Sequence, residues 1–199
     1  MNLLILIQDE GLPSSRVRGH NLVPELKKNG INATCKQIPK GTLQRLKLFK
    51  SCKEYDIVLL QRKLFSLSHL LPLRFFSKKV IFDFDDAIYL KDASLTADAS
   101  NPKHWTSLSR YIKFWFTIKI ADLVIAGNSY LKQEVLKHTK KVDIIPSAVP
   151  YRKDITPCHD YSTNKRPVIG WVGTQGNQKF LRLVENSLAK IADNYSFTL

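Results

Sequence analysis

The sequence is short of acidic residues and of cysteine. It carries 17 Asp and Glu against 31 Lys and Arg, which gives a formal net charge of +14. Its three cysteines, at positions 35, 52 and 158, have neither the Cys-X-X-Cys spacing of a redox motif nor the spacing of a zinc site. An odd cysteine count without a secretion signal predicts reduced thiols in a cytoplasmic protein.

Long hydrophobic runs are also missing. The amino-terminal run Leu3–Ile7 lacks the basic flank and cleavage site of a signal peptide, so it predicts a strand. The longest apolar-rich region, Phe114–Gly127, is interrupted by Lys119 and Asp122 and is too short to span a bilayer. With 44% hydrophobic and 24% charged residues and no repeats, the composition is that of an ordinary globular protein.

The excess of basic residues predicts attraction to an anionic partner. Nucleotides, phosphate-bearing ligands and an acidic membrane surface all fit, and a merely solvated basic surface fits as well. No RNP, zinc-finger or helix-turn-helix signature is present, so we do not expect nucleic acid as a partner. The aromatic and basic segment Trp105–Ala121 leaves two interpretations open, core packing and a membrane-surface face. We expect a cytoplasmic protein, with peripheral attachment to the inner face of the membrane as a further expectation.

Apolar runs and helix-periodic segments alternate along the chain. This order predicts an α/β fold with a Rossmann-like, doubly wound, mostly parallel sheet. The predicted strands are Leu3–Ile7, Ile31–Ile38, Asp56–Leu60, Lys79–Phe82, Asp122–Ala126 and Val142–Ile145. The predicted helices are Val17–Lys28, Leu43–Cys52, Leu67–Phe76, Trp105–Ala121, with Leu108, Ile112, Trp115 and Phe116 on one face, and a helix capped by Asn128-Ser129 that ends near His138.

A proline-rich segment interrupts this pattern. Residues 147–166 read as a linker, so we expect a Rossmann-like domain over 1–146 and an incomplete second α/β domain over 167–199. The second part predicts a buried strand over Val168–Gly173, a helix over Lys179–Ala192 and a further strand from Tyr195.

Three carboxylates follow one of the predicted strands. The run Val80–Phe82 leads directly into Asp83, Asp85 and Asp86. Ligands of open α/β sheets bind outside the carboxyl ends of the strands, where carboxylates can bind metal, accept a proton or hold sugar hydroxyls. An Asp in a first turn can also cap a helix, but a cap needs only one carboxylate.

Five segments in order carry a family resemblance. They are Ser14–Gly19, Asp83–Ala87, Ala121–Leu131 with its Ala-Gly-Asn-Ser core, Val142–Val149, and Ile169–Asn177 with its Ile-Gly-Trp-Val-Gly start. Together they resemble the N-terminal half of a retaining glycosyltransferase of family 4, with the GT-B fold. The resemblance covers nearly the whole chain.

The resemblance implies a two-domain enzyme with an acceptor-side N-terminal domain and a donor-side C-terminal domain. The donor would be a nucleotide-sugar, bound as a substrate, and neither a cofactor nor a metal would be needed. The acceptor would be a sugar or a lipid-linked molecule in cell-envelope or polysaccharide assembly. The acidic donor motif of the family, two glutamates separated by seven residues, lies beyond this sequence. We therefore expect a fragment with little or no transfer by itself.

The resemblance also assigns roles to residues. Asp85 and Asp86 lie where many relatives carry a catalytic or acceptor-binding His, so they are the candidates for substrate orientation and for base catalysis. The candidate substrate-binding residues are Ser15, Arg16, Arg18, Asp83 and Asn128, although Asn128 also predicts a helix N-cap. The candidate donor-phosphate residues are Gly173, Thr174 and Asn177.

Alternatives to this interpretation rest on the same carboxylates. Asp83 and Asp85 also resemble the nucleophile and acid/base of haloacid-dehalogenase-like phosphatases, although Ala87 replaces the usual Thr or Val. Asp83 and Asp85 could instead hold Mn²⁺ in a GT-A transferase. Magnesium or manganese dependence would favour either of these. A non-catalytic fragment that binds acceptor or membrane is the remaining alternative.

Overall fold

A computed structural model describes residues 1–91, 107–148, 167–173 and 175–198. The described residues up to Leu90 and from Ser107 to Ala148 belong to one compact unit, and those from Pro167 onward belong to a second. The predicted linker, 147–166, lies almost wholly outside the described residues, so the expected division into domains stays a prediction.

The first unit is built on a six-stranded parallel sheet with the order β2-β1-β3-β4-β5-β6. The chain moves from β1 to β2 on one side and then returns to add β3 on the other, so the strand order reverses between β1 and β3. The predicted Rossmann-like, doubly wound sheet is confirmed. The strands are β1 Asn2–Ile7, β2 Asn32–Gln37, β3 Ile57–Gln61, β4 Val80–Phe84, β5 Leu123–Ala126 and β6 Val142–Ile144.

Both faces of the central strands are buried. In β1, Leu4 and Leu6 pack into the larger core cluster, while Leu3, Ile5 and Ile7 pack on the opposite face. Side chains alternate across a strand, so a strand covered on both faces needs an unbroken apolar run. The run at the amino terminus is therefore a central strand.

Helices cover the two faces unequally. The helices of this unit are α1 Pro13–Ser15, α2 Leu22–Lys28, α3 Thr42–Ser51, α4 Leu67–Phe76, α5 Leu108–Ile120 and α6 Ser129–Leu136, with a π-helical turn at Arg16–His20 and a 3₁₀ turn at Cys52–Glu54. The smaller cluster is covered by α2, and the larger one receives side chains from α3 to α6. The predicted order of helices is confirmed, and α4 has the predicted bounds despite Pro72.

The first helical segment begins earlier than predicted. It starts at Pro13, a residue suited to a first helical turn, and contains the π-helical turn Arg16–His20. A Cβ on Gly19 would lie 2.7 Å from Cγ2 of Ile7, so the close packing of this turn on β1 requires glycine. Single π turns are frequent at functional sites.

The apolar face predicted for α5 is not its core face. Phe114, Thr117 and Ile118 are buried, whereas Leu108 is 76% exposed and Ile112 is 44% exposed. The helix is apolar on most of its circumference, so periodicity alone did not identify the buried stripe. Core packing holds for Phe114, and the membrane-surface interpretation of this helix stays a prediction. None of the helices that the structure describes is long and apolar enough to cross a bilayer.

The second unit departs most from the predictions. The predicted buried strand Val168–Gly173 is wrong, because the described residues form one parallel bridge, between Val168 and Thr198, and Val172 is 99% exposed. A strand with a single partner gains few ladder hydrogen bonds and buries little surface. The helix is present as a 3₁₀ segment, Gln175–Leu181, followed by α7, Arg182–Ala192.

Candidate functional site

The acidic cluster lies at the carboxyl edge of the sheet, but its first member is inside a strand. The prediction that the strand ends at Phe82 was short by two residues, because β4 continues to Phe84. Asp83 pairs in register with Gln61 of β3 and with Ile125 of β5. A charged residue can occupy a central strand when an opposite charge and hydrogen bonds compensate for its burial.

Arg18 provides that compensation. Its Nε donates to Oδ2 of Asp83 at 2.9 Å, and its Nη2 donates to Oδ1 of the same carboxylate. The two residues are 5% and 3% exposed. Burial raises the pKa of Asp83, and the hydrogen bonds from Arg18 oppose that rise. Burial also lowers the pKa of Arg18, but the hydrogen bond and charge of Asp83 raise it overall.

The same guanidinium reaches the segment after β6. Nη1 of Arg18 donates to the carbonyl oxygen of Ile145 at 2.8 Å and to Oγ of Ser147 at 3.3 Å. Arg18 therefore ties the π-helical turn to β4 and to the end of the sheet. Its donors are largely engaged, so the geometry favours a positioning role for Arg18 and Asp83 over direct contact with a substrate.

Asp85 is fixed by a hydrogen bond from Ser147 and by the close approach of Gly127. Oγ of Ser147 donates to its Oδ2 at 3.5 Å, and its Oδ1 is buried without a hydrogen-bond partner within the described parts of the chain. A Cβ on Gly127 would lie 2.8 Å from Cα of Asp85, so the approach of these two loops requires glycine. The backbone N–H of Gly127 donates to the carbonyl oxygen of Phe84 at 2.9 Å, which fixes the start of the Asp85 turn.

Asp86 is the exposed carboxylate of the cluster. Its side chain is 60% exposed, and its Oδ2 lies 2.5 Å from Nη1 of Arg62. Nη1 of Arg62 also donates to Oγ of Ser14 at 3.3 Å. Arg62 thus connects the segment after β1 to the acidic cluster after β4.

Arg62 has the only positive φ among the described non-glycine residues, at 61°. The N–H of Lys63 donates to the carbonyl oxygen of Gln61 at 2.7 Å, which makes Arg62 the centre of a γ-turn directly after β3. Such strained turns persist where the surroundings fix them, and they cluster at binding sites. Arg62 is not among the site residues predicted from the sequence, although its position just after a buried strand was the available signal.

Ser15 lies where the strand order reverses. Its Oγ donates to Oε1 of Gln61 at 3.4 Å, and both residues are fully buried. Nε2 of Gln61 has no hydrogen-bond partner within the ranges described here. Ser15 is among the site residues predicted from the sequence, whereas Gln61, the last residue of β3, is not. The carboxyl ends of strands at such a reversal are the usual ligand sites of open α/β sheets.

Among the remaining candidates, Arg16 and Asn128 belong to the first unit, and Gly173 and Asn177 belong to the second. Arg16 is exposed on the π-helical turn. Asn128 is the N-cap of α6, as predicted, because its Oδ1 accepts from the N–H of Leu131 at 2.9 Å. Asn177 lies in the 3₁₀ segment of the second unit. Gly173 precedes that segment, and a Cβ at its position would contact the ring of Trp171. Thr174 lies outside the described residues.

The chemistry available at the cluster is that of hydrogen-bond acceptors and a base. Asp85 and Asp86 can accept from hydroxyls, and Arg62 and Ser14 can donate to oxygens beside them. Among the described residues, no group of three or more His, Cys, Asp and Glu side chains is arranged to hold a metal ion. Both oxygens of Asp83 accept hydrogen bonds from Arg18, so Asp83 is poorly placed to act as a nucleophile.

No protein-family profile matches the chain, and no curated protein matches its sequence. Among solved structures, the chain is similar to the Anabaena protein HepE in complex with UDP-glucose, with 15% identity and a TM-score of 0.39. An alpha-glucosyltransferase in complex with UDP and a 13-mer DNA matches with 12% identity and a TM-score of 0.39. The matches cover 75% and 65% of this chain but 44% and 37% of those proteins, so the chain spans less than half of their length.

A third structure, a pilus assembly-related protein of Burkholderia pseudomallei, has 12% identity and a TM-score of 0.35. That match covers 71% of this chain and 93% of the other. The fold assignment follows from the strand order of the sheet itself.

Proposed function

We propose that the chain is the acceptor-side part of a glycosyltransferase. The observation that carries the proposal is the pair Asp85 and Asp86, placed after β4 at the carboxyl edge. Arg62 links Asp86 to the end of β3, beside the reversal of the strand order. An acceptor sugar presents hydroxyls, which carboxylates bind and from which they can take a proton. The family resemblance of the sequence supplies the reaction class.

We give the two carboxylates direct roles. Asp86, which is the more exposed carboxylate, accepts a hydrogen bond from the acceptor hydroxyl, and Asp85 orients it from the buried side. Arg62 holds Asp86 and donates to neighbouring sugar oxygens. Arg18 and Asp83 keep the turn after β4 in place, so they act as positioning residues.

The donor would be a nucleotide-sugar. Arg16, the exposed first residue of the π-helical turn, is the proposed contact for its phosphates in the first unit. Gly173, Thr174 and Asn177 keep the role of donor-phosphate residues as part of this proposal. No metal is assigned to the transfer. We also propose that the acceptor is a sugar or lipid-linked molecule of envelope or polysaccharide assembly. An anionic membrane surface is a further proposed partner.

The phosphatase alternative fits the geometry less well. Its nucleophile would be Asp83, which is 3% exposed and pairs with Arg18 through both oxygens. A nucleophile must reach the phosphorus atom, which Asp83 cannot do without breaking that pair. The non-catalytic alternative, a fragment that only binds an acceptor, uses the same residues as our proposal.

Saccharide binding tests the proposal. We would titrate a panel of neutral mono- and oligosaccharides into the ¹⁵N-labelled chain in EDTA and in Mg²⁺, and follow amide shifts. We expect metal-independent binding that Asp86→Asn weakens by about tenfold, as expected for the loss of a charge-assisted hydrogen bond. Glu54→Gln removes an exposed carboxylate just before β3, at the opposite edge, and is the matched control.

Two outcomes would contradict the proposal. One is the absence of binding to every saccharide in the panel. The other is Mg²⁺-dependent hydrolysis of p-nitrophenyl phosphate that Asp83→Asn abolishes in a folded variant, which would restore the phosphatase interpretation.

A further inference from the structure

A small polar cavity lies at the carboxyl ends of β1, β2 and β3, the same edge of the sheet as the acidic cluster. Its volume is about 140 Å³. Gln8 and Asp9 follow β1, Gln37 ends β2, and Lys63 follows the γ-turn after β3. Lys40 and Arg45 close it from the side of α3. The cavity therefore lies at the reversal of the strand order, where open α/β sheets bind ligands.

The charges around the cavity do not balance. Three cations, Lys40, Arg45 and Lys63, face one carboxylate, Asp9. Oδ1 of Asp9 already accepts from the N–H of Gly11 at 2.9 Å. Clustering like charges is unfavourable unless an anion is bound between them.

Among the three cations, Lys63 gives the strongest evidence for a bound anion. It is half-buried, and within the described residues its ammonium group has neither an ion pair nor a hydrogen bond. Burial lowers the pKa of Lys63, and the nearby charges of Arg45 and Lys113 lower it further. Lys63 directly follows the strained backbone of Arg62, so an unpaired, half-buried cation and a strained turn adjoin each other at this edge.

Arg45 is held in a defined orientation. Its Nε donates to the carbonyl oxygen of Pro39 at 2.6 Å, and its guanidinium lies 5.9 Å from the ring centroid of Phe65. These contacts leave the two terminal nitrogens for a ligand, in the planar fork that binds phosphate and carboxylate through two hydrogen bonds. The helix on which it lies, α3, begins at Thr42 without a side-chain cap, so its positive end adds to the field.

The cavity has the size of one anionic group. Its volume is several times that of a water molecule, about 30 Å³, and well below the roughly 300 Å³ of the smallest clefts for whole ligands. We propose that Lys40, Arg45 and Lys63 bind a phosphate or carboxylate group carried by the acceptor. The inference rests on the proposed function in that it makes the acceptor an acidic saccharide or a saccharide phosphate.

Anion titration tests the inference. We would titrate inorganic phosphate, glucuronate and glucose into the full chain at constant ionic strength and follow the amide shifts of Gln8, Asp9 and Lys63. We expect phosphate or glucuronate to bind in preference to glucose, and the preferred anion identifies the source of the charge. Lys63→Met and Arg45→Met should each weaken that binding by about tenfold.

The controls separate a built site from net charge. Lys47→Ala removes an exposed cation from the same helix, and it should leave the affinity unchanged. Lys40→Ala changes an exposed residue and gives a second readout if Arg45→Met fails to fold. Equal weakening by Lys47→Ala and Lys63→Met, or no binding of either anion, would overturn the inference. Asp86→Asn should not weaken phosphate binding, so loss of neutral saccharide binding in that variant reports on the proposed function alone.

Discussion

Arg18 and Asp83 form a buried ion pair between residues 65 positions apart in the sequence. The pair joins the π-helical turn after β1 to the interior of β4, and the same guanidinium reaches the carbonyl oxygen of Ile145. The carboxyl edge of the sheet is thereby connected across five adjacent strands, from β1 to β6. This connection fixes the end of β4 and therefore the position of the acidic cluster that follows it.

Breaking the pair should cost much of the stability. Arg18→Met leaves the carboxylate of Asp83 buried without its partner, so we expect a loss of about 3–5 kcal/mol in the free energy of unfolding. Urea denaturation followed by circular dichroism measures it. Arg16→Met, on the same turn but exposed, should change stability by less than about 0.5 kcal/mol.

A double variant separates two contributions to the free energy of unfolding: the penalty for one buried unpaired charge, and the net stabilisation by the ion pair. Arg18→Met combined with Asp83→Leu should recover most of the lost stability, because no buried charge remains. If the double variant is as unstable as the single one, the pair contributes through its other contacts and our interpretation is wrong.

Gly127 should not tolerate a side chain. A Cβ added at position 127 would lie 2.8 Å from Cα of Asp85, a backbone atom that cannot move without its neighbours. We expect Gly127→Ala to destabilise the protein by about 1–3 kcal/mol and to shift the amide resonances of Asp85 and Asp86. Gly11→Ala, where the nearest atom is an Asp9 oxygen at an ordinary 3.4 Å, is the control. Equal effects from both changes would show that the close approach is unimportant.

Stability should fall as the pH is lowered through the histidine range. Burial lowers the pKa of His138 by more than the charge of Glu134 raises it, and the charges of Lys119 and Lys137 lower it further. Burial and Arg45 lower the pKa of His69 as well. Both groups bind a proton more readily in the unfolded chain, so their contribution is complete above the ordinary pKa of 6.5 and is lost below it.

Urea midpoints between about pH 8 and pH 5 test this dependence. The variant His138→Gln should show a shallower decline than the wild type, since one of the two groups is then absent. A midpoint that rises on acidification in this range would contradict the assignment of both shifts.

The two described cysteines should resist alkylation. Burial raises the pKa of Cys35 to about 11, with Glu10 adding to the rise, and burial raises the pKa of Cys52 to about 11. The reactive thiolate is therefore about a hundredfold scarcer at pH 8 than for a thiol with pKa 9.0. Iodoacetamide labelling followed by peptide mass spectrometry measures each site. Labelling of Cys35 or Cys52 at the rate of free glutathione would contradict the prediction.

The sheet was predictable because its strands are apolar runs of the right length. The predicted runs Leu3–Ile7 and Asp56–Leu60 correspond to β1 and β3, central strands buried on both faces, and such runs are local signals. The extension of β4 through Asp83 was not predictable, since it depends on Arg18, which is distant in sequence. The position of Arg62 was missed for the same reason, because its partners Ser14 and Asp86 belong to other strand ends.

In the second unit, a local signal predicted a buried strand that the described residues do not form. Val168–Gly173 has the composition of a buried strand, yet Val172 is almost fully exposed. Composition reports what a segment can bury, whereas burial requires neighbouring strands and helices. The face of α5 was mistaken because apolar residues surround most of that helix.

The location of a bound saccharide tests the central claim most directly. Intermolecular nuclear Overhauser effects between a binding saccharide and the ¹⁵N-labelled chain would provide it. We predict contacts to the amides of Asp86, Gly127 and Arg62, observed equally in EDTA and in Mg²⁺. Contacts confined to other regions of the chain, or contacts that appear only with Mg²⁺, would contradict an acceptor site at the Asp85–Asp86 edge.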